Sequence, residues 1–134
     1  MSAPGRKPHV LIIDDETRIV EVFGKLFHNG WSVRTCSEPL VALAMLVGPT
    51  EYDAIILDVI MADLNGVNLY LELEKRARNR CKRIIFITGN ADPCVEFFEE
   101  HGCLWIEKPF IDGRMKRLHA FVELMATSDL PRGP

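Results

Sequence analysis

The chain has 134 residues, enough for one domain whose core needs no disulfides. Its net charge of −3 gives no basic face for binding nucleic acid, and no apolar run approaches the ~20 residues of a membrane span. Cys36, Cys81, Cys94 and Cys103 are scattered without a C-x-x-C pair, and MSAPGRKPH holds no apolar segment of secretory type, so free thiols in a reducing cytoplasm are expected.

Residues 1–8 read as an N-terminal extension. The first strand is HVLIID (9–14), a short apolar run suited to a buried strand, and it ends in Asp14-Asp15-Glu16. Residues 16–28 set Ile19, Phe23, Leu26 and Phe27 at helical spacing, and Gly30 stops that helix. WSVRTC (31–36) is the most polar strand candidate and belongs at a sheet edge. A helix follows in PLVALAMLV (39–47), closed by Gly48-Pro49, and then the strand YDAIILD (52–58). Asn65-Gly66 opens the helix NLYLELEKRARN, with Glu72–Arg76 and Glu74–Arg78 as i,i+4 pairs.

Residues 75–83, KRARNRCKR, hold six basic side chains and read as a solvated helix C-terminus that complements the dipole, at the rim opposite Asp58. The strand RIIFIT (83–88) follows. Asp92-Pro93 has the form of a helix start and leads through Val95 and Phe98 to Gly102. The fifth strand is CLWIEK (103–108), and the last helix carries Ile111, Met115, Leu118, Val122 and Met125. The tail TSDLPRGP reads as unpacked chain, a terminus or the start of a linker.

Strict alternation of strands and helices predicts an α/β fold, a parallel sheet covered on both faces. Ligands in such sheets bind beyond the carboxyl ends of the strands. Asp14-Asp15, Asp58, Thr88-Gly89 and Lys108-Pro109 end strands one, three, four and five. Singly each is ordinary: a helix cap, a strand former, a surface charge. Together they bring three carboxylates, a hydroxyl and an ammonium to one rim. Three close carboxylates call for a cation, and hard oxygen ligands suit Mg²⁺. With Lys108 and Thr88 the site would hold extra anionic oxygen, which fits a phosphoryl group and an Asp nucleophile.

These residues, in LIIDDE, IILDVIMADLNG, FITGN and IEKPF, resemble the receiver domain of two-component response regulators from His9 to about Met125. The resemblance implies a flavodoxin-like, doubly wound, five-stranded parallel sheet of order 2-1-3-4-5 with five helices, a receiver domain over 9–126 and a tail over 127–134. It implies Asp58 as phosphoacceptor from the phosphohistidine of a histidine kinase or phosphotransfer protein. Mg²⁺, with Mn²⁺ as an alternative ion, would be held by Asp14, Asp15, Asp58 and the backbone carbonyl of Ile60. Thr88, Gly89 and Lys108 would bind the phosphoryl oxygens, Pro109 would be the cis-proline, and Thr88 and Trp105 would form the switch that alters the surface of helix four, strand five and helix five. The partner read out by that surface would be a downstream protein or a covalently linked output domain, and a phosphorylation-dependent dimer fits the same pattern. No nucleic acid or membrane is expected to bind this domain.

The sequence departs from the family at three points. Trp105 is larger than the usual Tyr or Phe, Ala62 replaces a frequent Pro, and the Ile60 side chain is expected to overhang the site and shield Asp58 from water. Glu16 is expected to favour the first helix through its dipole and to ligate nothing. The chain is read as a signalling domain and not an enzyme, with slow self-dephosphorylation. Two other classes are weighed against it. A phosphatase of the haloacid-dehalogenase type would carry D-x-D after its first strand, where this chain has D-D-E. A receiver-like interaction module that takes no phosphate would typically have lost one of the acids.

Overall fold

The computed structural model describes residues 7–16, 21, 30–61, 65–109 and 113–134. Most of the segment expected as the first helix, together with Ala62 and Ile111, lies outside them. Among the described residues the order is β1 (His9–Ile13), β2 (Ser32–Cys36), α1 (Pro39–Val47), β3 (Ala54–Asp58), α2 (Gly66–Arg76), α3 (Arg78–Cys81), β4 (Ile84–Thr88), a 3-10 turn (Asp92–Cys94), α4 (Val95–His101), β5 (Leu104–Glu107) and α5 (Arg114–Thr127).

The five strands form one parallel sheet in the order β2-β1-β3-β4-β5. The centre is apolar on both faces because both faces are covered: every residue of β3 and β4 is buried. Side chains alternate by face. Leu11, Ile13, Ile55, Leu57 and Phe86 pack with Ala42 and Leu46 of α1, Leu69 and Leu73 of α2, and Phe98 of α4. Val10, Ile12, Ile56, Ile85 and Ile87 pack on the other face with Leu118, Val122 and Met125 of α5. The polar SVRTC strand lies at the edge, as its composition predicts. The sheet's direction of winding reverses between β1 and β3, so the crevice of the fold opens at the ends of these two strands.

Three expectations are corrected. The helix after Asn65 does not run to Arg78: it ends at Arg76, and Ala77, at φ −150°, breaks the chain before the short helix α3. The Glu72–Arg76 pair forms at 3.4 Å, whereas Glu74 faces His101 at 3.5 Å and does not pair with Arg78. The basic run is not wholly solvated, because the break at Ala77 turns Arg80 inward and both Arg80 and Arg83 are fully buried. The tail is packed. Arg132 meets Asp53 at 2.6 Å, and tail carbonyls accept from Arg80 and Arg83. Polar backbone satisfies Arg83 and the two terminal nitrogens of Arg80, whose buried Nε has no hydrogen-bond partner, where the apolar pattern alone suggested nothing to hold the segment. A smaller difference is that Asp92 does not cap a helix with its side chain but begins the 3-10 turn that leads into α4.

Candidate functional site

β1 and β3 are adjacent and in register, Ile13 beside Leu57, so the residues that follow them arrive side by side. Asp14 is fully buried and Asp58 nearly so, while Asp15 is exposed. One carboxylate oxygen from each lies within 4.8 Å of the others, the one acidic cluster of metal-ligating type among the described residues. The Asp14 carboxylate accepts from the Glu16 amide at 2.9 Å, and the Asp58 carboxylate accepts from the Ile60 amide at 3.4 Å.

Lys108 enters from the end of β5. Its Nζ lies 3.0 Å from Asp14 Oδ2, 3.4 Å from Glu16 Oε2 and 3.6 Å from Asp58 Oδ2. The Lys108 amide donates to the Thr88 carbonyl at 2.7 Å, and the Lys108–Pro109 peptide is cis. Burial, and then the facing charge of Asp14, push the Asp58 carboxyl up from 3.8 to about 7, against the pull of Lys108. Burial opposes the Lys108 charge, but its hydrogen bond to Asp14 and the three nearby acids outweigh that, and its pKa is raised. One ammonium therefore stands among more negative charge than it can neutralise.

The other predicted residues surround an open cleft of about 520 Å³, lined by Asp15, Asp58, Ile60, Gly89 and Lys108 among others. Ile60 is 66% exposed at its mouth. Among the described residues nothing would lie within 4 Å of a Cβ at Gly89, so the space beside its backbone is open to the cleft. Thr88 is fully buried, and its hydroxyl is turned to its own loop, donating to the Asn90 carbonyl at 3.1 Å and accepting from the Asn90 amide at 3.2 Å. It bonds none of the acids. Trp105 is half-buried on β5, in register with Phe86 and stacked on Phe98 of α4 with centroids 5.8 Å apart.

A family model described as the response regulator receiver domain matches residues 10–122. The chain belongs to this family. Its fold is similar to that of the receiver domain of the Francisella response regulator 1452, 25% identical, with TM-score 0.75 over 90% of this chain and 97% of that one. A CheY-like receiver domain from Methanospirillum hungatei JF-1 is 20% identical, with TM-score 0.73 over 90% and 97%. TrrA of Thermotoga maritima, solved in complex with Mg²⁺-BeF, is 23% identical, with TM-score 0.69 over 85% and 98%. Among curated proteins, the response regulator SaeR of Staphylococcus aureus (strain USA300) is 30% identical over 69 residues, which are 51% of this chain and 29% of that protein. The chain thus corresponds to only part of the length of the curated relatives that it matches. Among the described residues of this receiver domain, no helix is long and apolar enough to cross a membrane.

Sequence reasoning missed three features of the receiver site. Glu16 is not a bystander, since its carboxylate shares Lys108 with Asp14. Gly66 stands at the first position of α2, where a Cβ would lie 2.3 Å from the Asp58 carbonyl oxygen. Its amide donates to the Val59 carbonyl at 2.7 Å, which fixes the helix start against the strand end. The signal was present: Asn65 already caps the helix through the Asn68 amide, so a poor helix former at the next position has another cause. Glu107 is the third, its carboxylate accepting from the Ala91 amide at 2.9 Å and so tying the loop after β4 to β5. All four cysteines are free, and burial raises the Cys81 thiol to about 12, so it is no thiolate nucleophile.

Proposed function

We propose that this receiver domain is a phosphorylation-controlled switch, spanning residues 9–126, in which Asp58 takes a phosphoryl group from the phosphohistidine of a histidine kinase or phosphotransfer protein. The observation that carries this reading is the meeting of Asp14, Asp15 and Asp58 oxygens within 4.8 Å, with the Lys108 ammonium beside them. The donor set fits Mg²⁺: hard carboxylate oxygens, one of them exposed, around an excess of negative charge that raises Asp58. Asp14, Asp15, Asp58 and the Ile60 carbonyl would hold the ion. When bound, it would neutralise anionic oxygen and favour the ionised carboxylate. TrrA, a protein of the same fold, is solved in complex with Mg²⁺-BeF, which supports reading a metal site into this fold.

An ionised Asp58 oxygen attacks phosphorus. The new P–O bond forms as the P–N bond breaks, and its electron pair leaves on the imidazole, which departs neutral when its other nitrogen carries the proton. Lys108 is already within 3.6 Å of Asp58 and pairs with the incoming phosphoryl oxygens, drawn partly away from Asp14 and Glu16. Gly89 leaves room for its amide to donate to the same group.

Phosphorylation adds negative charge and strong acceptors at the end of β3. These compete with the Asn90 carbonyl for the Thr88 hydroxyl and draw its loop inward. That loop is bonded through Ala91 to Glu107, two residues from Trp105 on the same strand, so its shift reaches the α4–β5–α5 surface. A downstream protein or linked output domain reads the changed surface. Incubation with Mg²⁺ and acetyl phosphate tests the proposal. One phosphoryl group per chain is expected by mass spectrometry, lost in Asp58→Ala and in chelator; unaltered labelling of Asp58→Ala would overturn it.

A further inference from the structure

The pole of the sheet opposite Asp58 carries a second polar assembly, made by residues with no part in phosphoryl chemistry. Arg83, which precedes β4, is fully buried, and a guanidinium has five N–H donors to satisfy. Its Nε donates to the Pro131 carbonyl at 3.0 Å. Its Nη1 donates to the carbonyls of Asp53, at 2.9 Å, and Met125. Its Nη2 donates to the carbonyls of Ser128, at 3.3 Å, and Leu130. Five donors meet five acceptors, and three of those acceptors belong to the segment after α5.

Arg80 repeats the pattern less completely, since its buried Nε has no hydrogen-bond partner. It is fully buried and donates to the Arg132 carbonyl at 2.7 Å and the Gly48 carbonyl at 2.8 Å. The segment answers with its own charge. Arg132 Nε lies 2.6 Å from Asp53 Oδ1, and its Nη2 donates to the Ala126 and Ser128 carbonyls. Asp53 is held in turn by the His9 amide, which donates to Oδ2 at 2.7 Å. A buried cation that loses hydrogen-bond partners is strongly disfavoured, so Arg80 and Arg83 are stable inside only while the segment lies over them.

We propose that Asp53, Arg80 and Arg83 form a peptide-binding site at the base of the sheet, whose ligand is the chain's own segment Ser128–Arg132, bound in cis. The recognition chemistry is specific. Backbone carbonyls of a bent strap face two guanidiniums, and one arginine side chain enters beside a buried carboxylate. Proline at 131 suits it, since a proline has no backbone N–H to leave unsatisfied there. The strap grips the starts of β3 and β4, whose far ends carry Asp58 and Thr88. The packing of the fold thus continues past the end of α5.

The test is backbone ¹⁵N relaxation and amide hydrogen exchange on the full chain, comparing the parent with Arg132→Ala and Asp53→Asn. In the parent, the amides of Asp129, Leu130 and Arg132 should show order parameters near 0.85, as in the core, and fall below about 0.6 in Arg132→Ala while β3 and β4 stay ordered. Exchange at these amides should rise at least tenfold. Asp53→Asn, which keeps the shape of the site, should loosen the same amides. A strap already flexible in the parent, or one left rigid in both variants, would overturn the proposal. So would loss of order only on dilution with a parallel change from dimer to monomer, because the strap would then belong to a second copy.

Discussion

Replacing Asp58 with Asn tests the electrostatics of the site directly. The side chain keeps its shape and an oxygen able to accept from the Ile60 amide, but loses a carboxyl raised from 3.8 to about 7 by burial and by Asp14. Each pKa unit is worth ~1.4 kcal/mol, so ionising Asp58 in the folded protein is disfavoured by about 4 kcal/mol relative to the unfolded chain. Below pH 4 both states hold the proton and no difference arises. Between pH 4 and 7 the unfolded chain releases the proton while the folded chain keeps it, so stability falls as pH rises. Above pH 7 the penalty is present in full. In metal-free buffer, Asp58→Asn should therefore be the more stable protein by up to about 4 kcal/mol at pH 8 and by less than about 1 kcal/mol at pH 4. Urea unfolding followed by the fluorescence of Trp31, buried beneath α5, and of Trp105 on β5 measures both curves. A difference that does not change with pH, or a parent that is the more stable at pH 8, would refute the reasoning. Mg²⁺ should narrow the gap at pH 8 by stabilising the parent alone.

Asp15→Asn should weaken Mg²⁺ binding at least tenfold, and Glu16→Gln by far less, because Asp15 belongs to the oxygen cluster while Glu16 faces Lys108; titration of both in one buffer compares them. Gly66→Ala should destabilise the domain by about 1–3 kcal/mol in urea unfolding, since the added Cβ would meet the Asp58 carbonyl at 2.3 Å, although alanine is the better helix former. It should also lower phosphoryl uptake by moving the end of β3. Ile60→Asn should shorten the lifetime of the phosphorylated protein, because it puts a polar group able to orient water where an exposed apolar side chain stands at the mouth of the cleft. An unchanged or longer lifetime would reject that role.

The parallel sheet and the convergence of Asp14, Asp15, Asp58 and Lys108 were legible because both follow from patterns that sequence carries directly, whereas the strand order came only from the family resemblance. Apolar runs ending in chemistry-bearing residues mark strands and their carboxyl ends, and strict alternation with helices sets the parallel sheet. Gly66 was read as a helix opener, because its true reason is a carbonyl eight residues earlier that only the packed helix brings near. Arg80 and Arg83 were read as solvent-facing, as basic runs usually are. Their burial depends on carbonyls some fifty positions away, and a backbone carbonyl has no signature in side-chain pattern. Thr88 was placed correctly on its strand, but its hydroxyl's present partner, Asn90, is a matter of rotamer and loop that residue type does not report.

The contact between Lys108 and Asp14 joins residues 94 positions apart and spans the sheet from the end of β1, across β3 and β4, to the edge strand β5. The acidic centre is therefore complete only when every strand between them is in place. Fraying at a sheet edge is usually a cheap local event. Here, release of β5 would withdraw the ammonium from two buried carboxylates, and their repulsion would then widen the opening. Edge and interior are made to open as one unit. The fraction of molecules able to accept a phosphoryl group should consequently track the fraction fully folded, making chemical competence a measure of cooperativity in the whole domain.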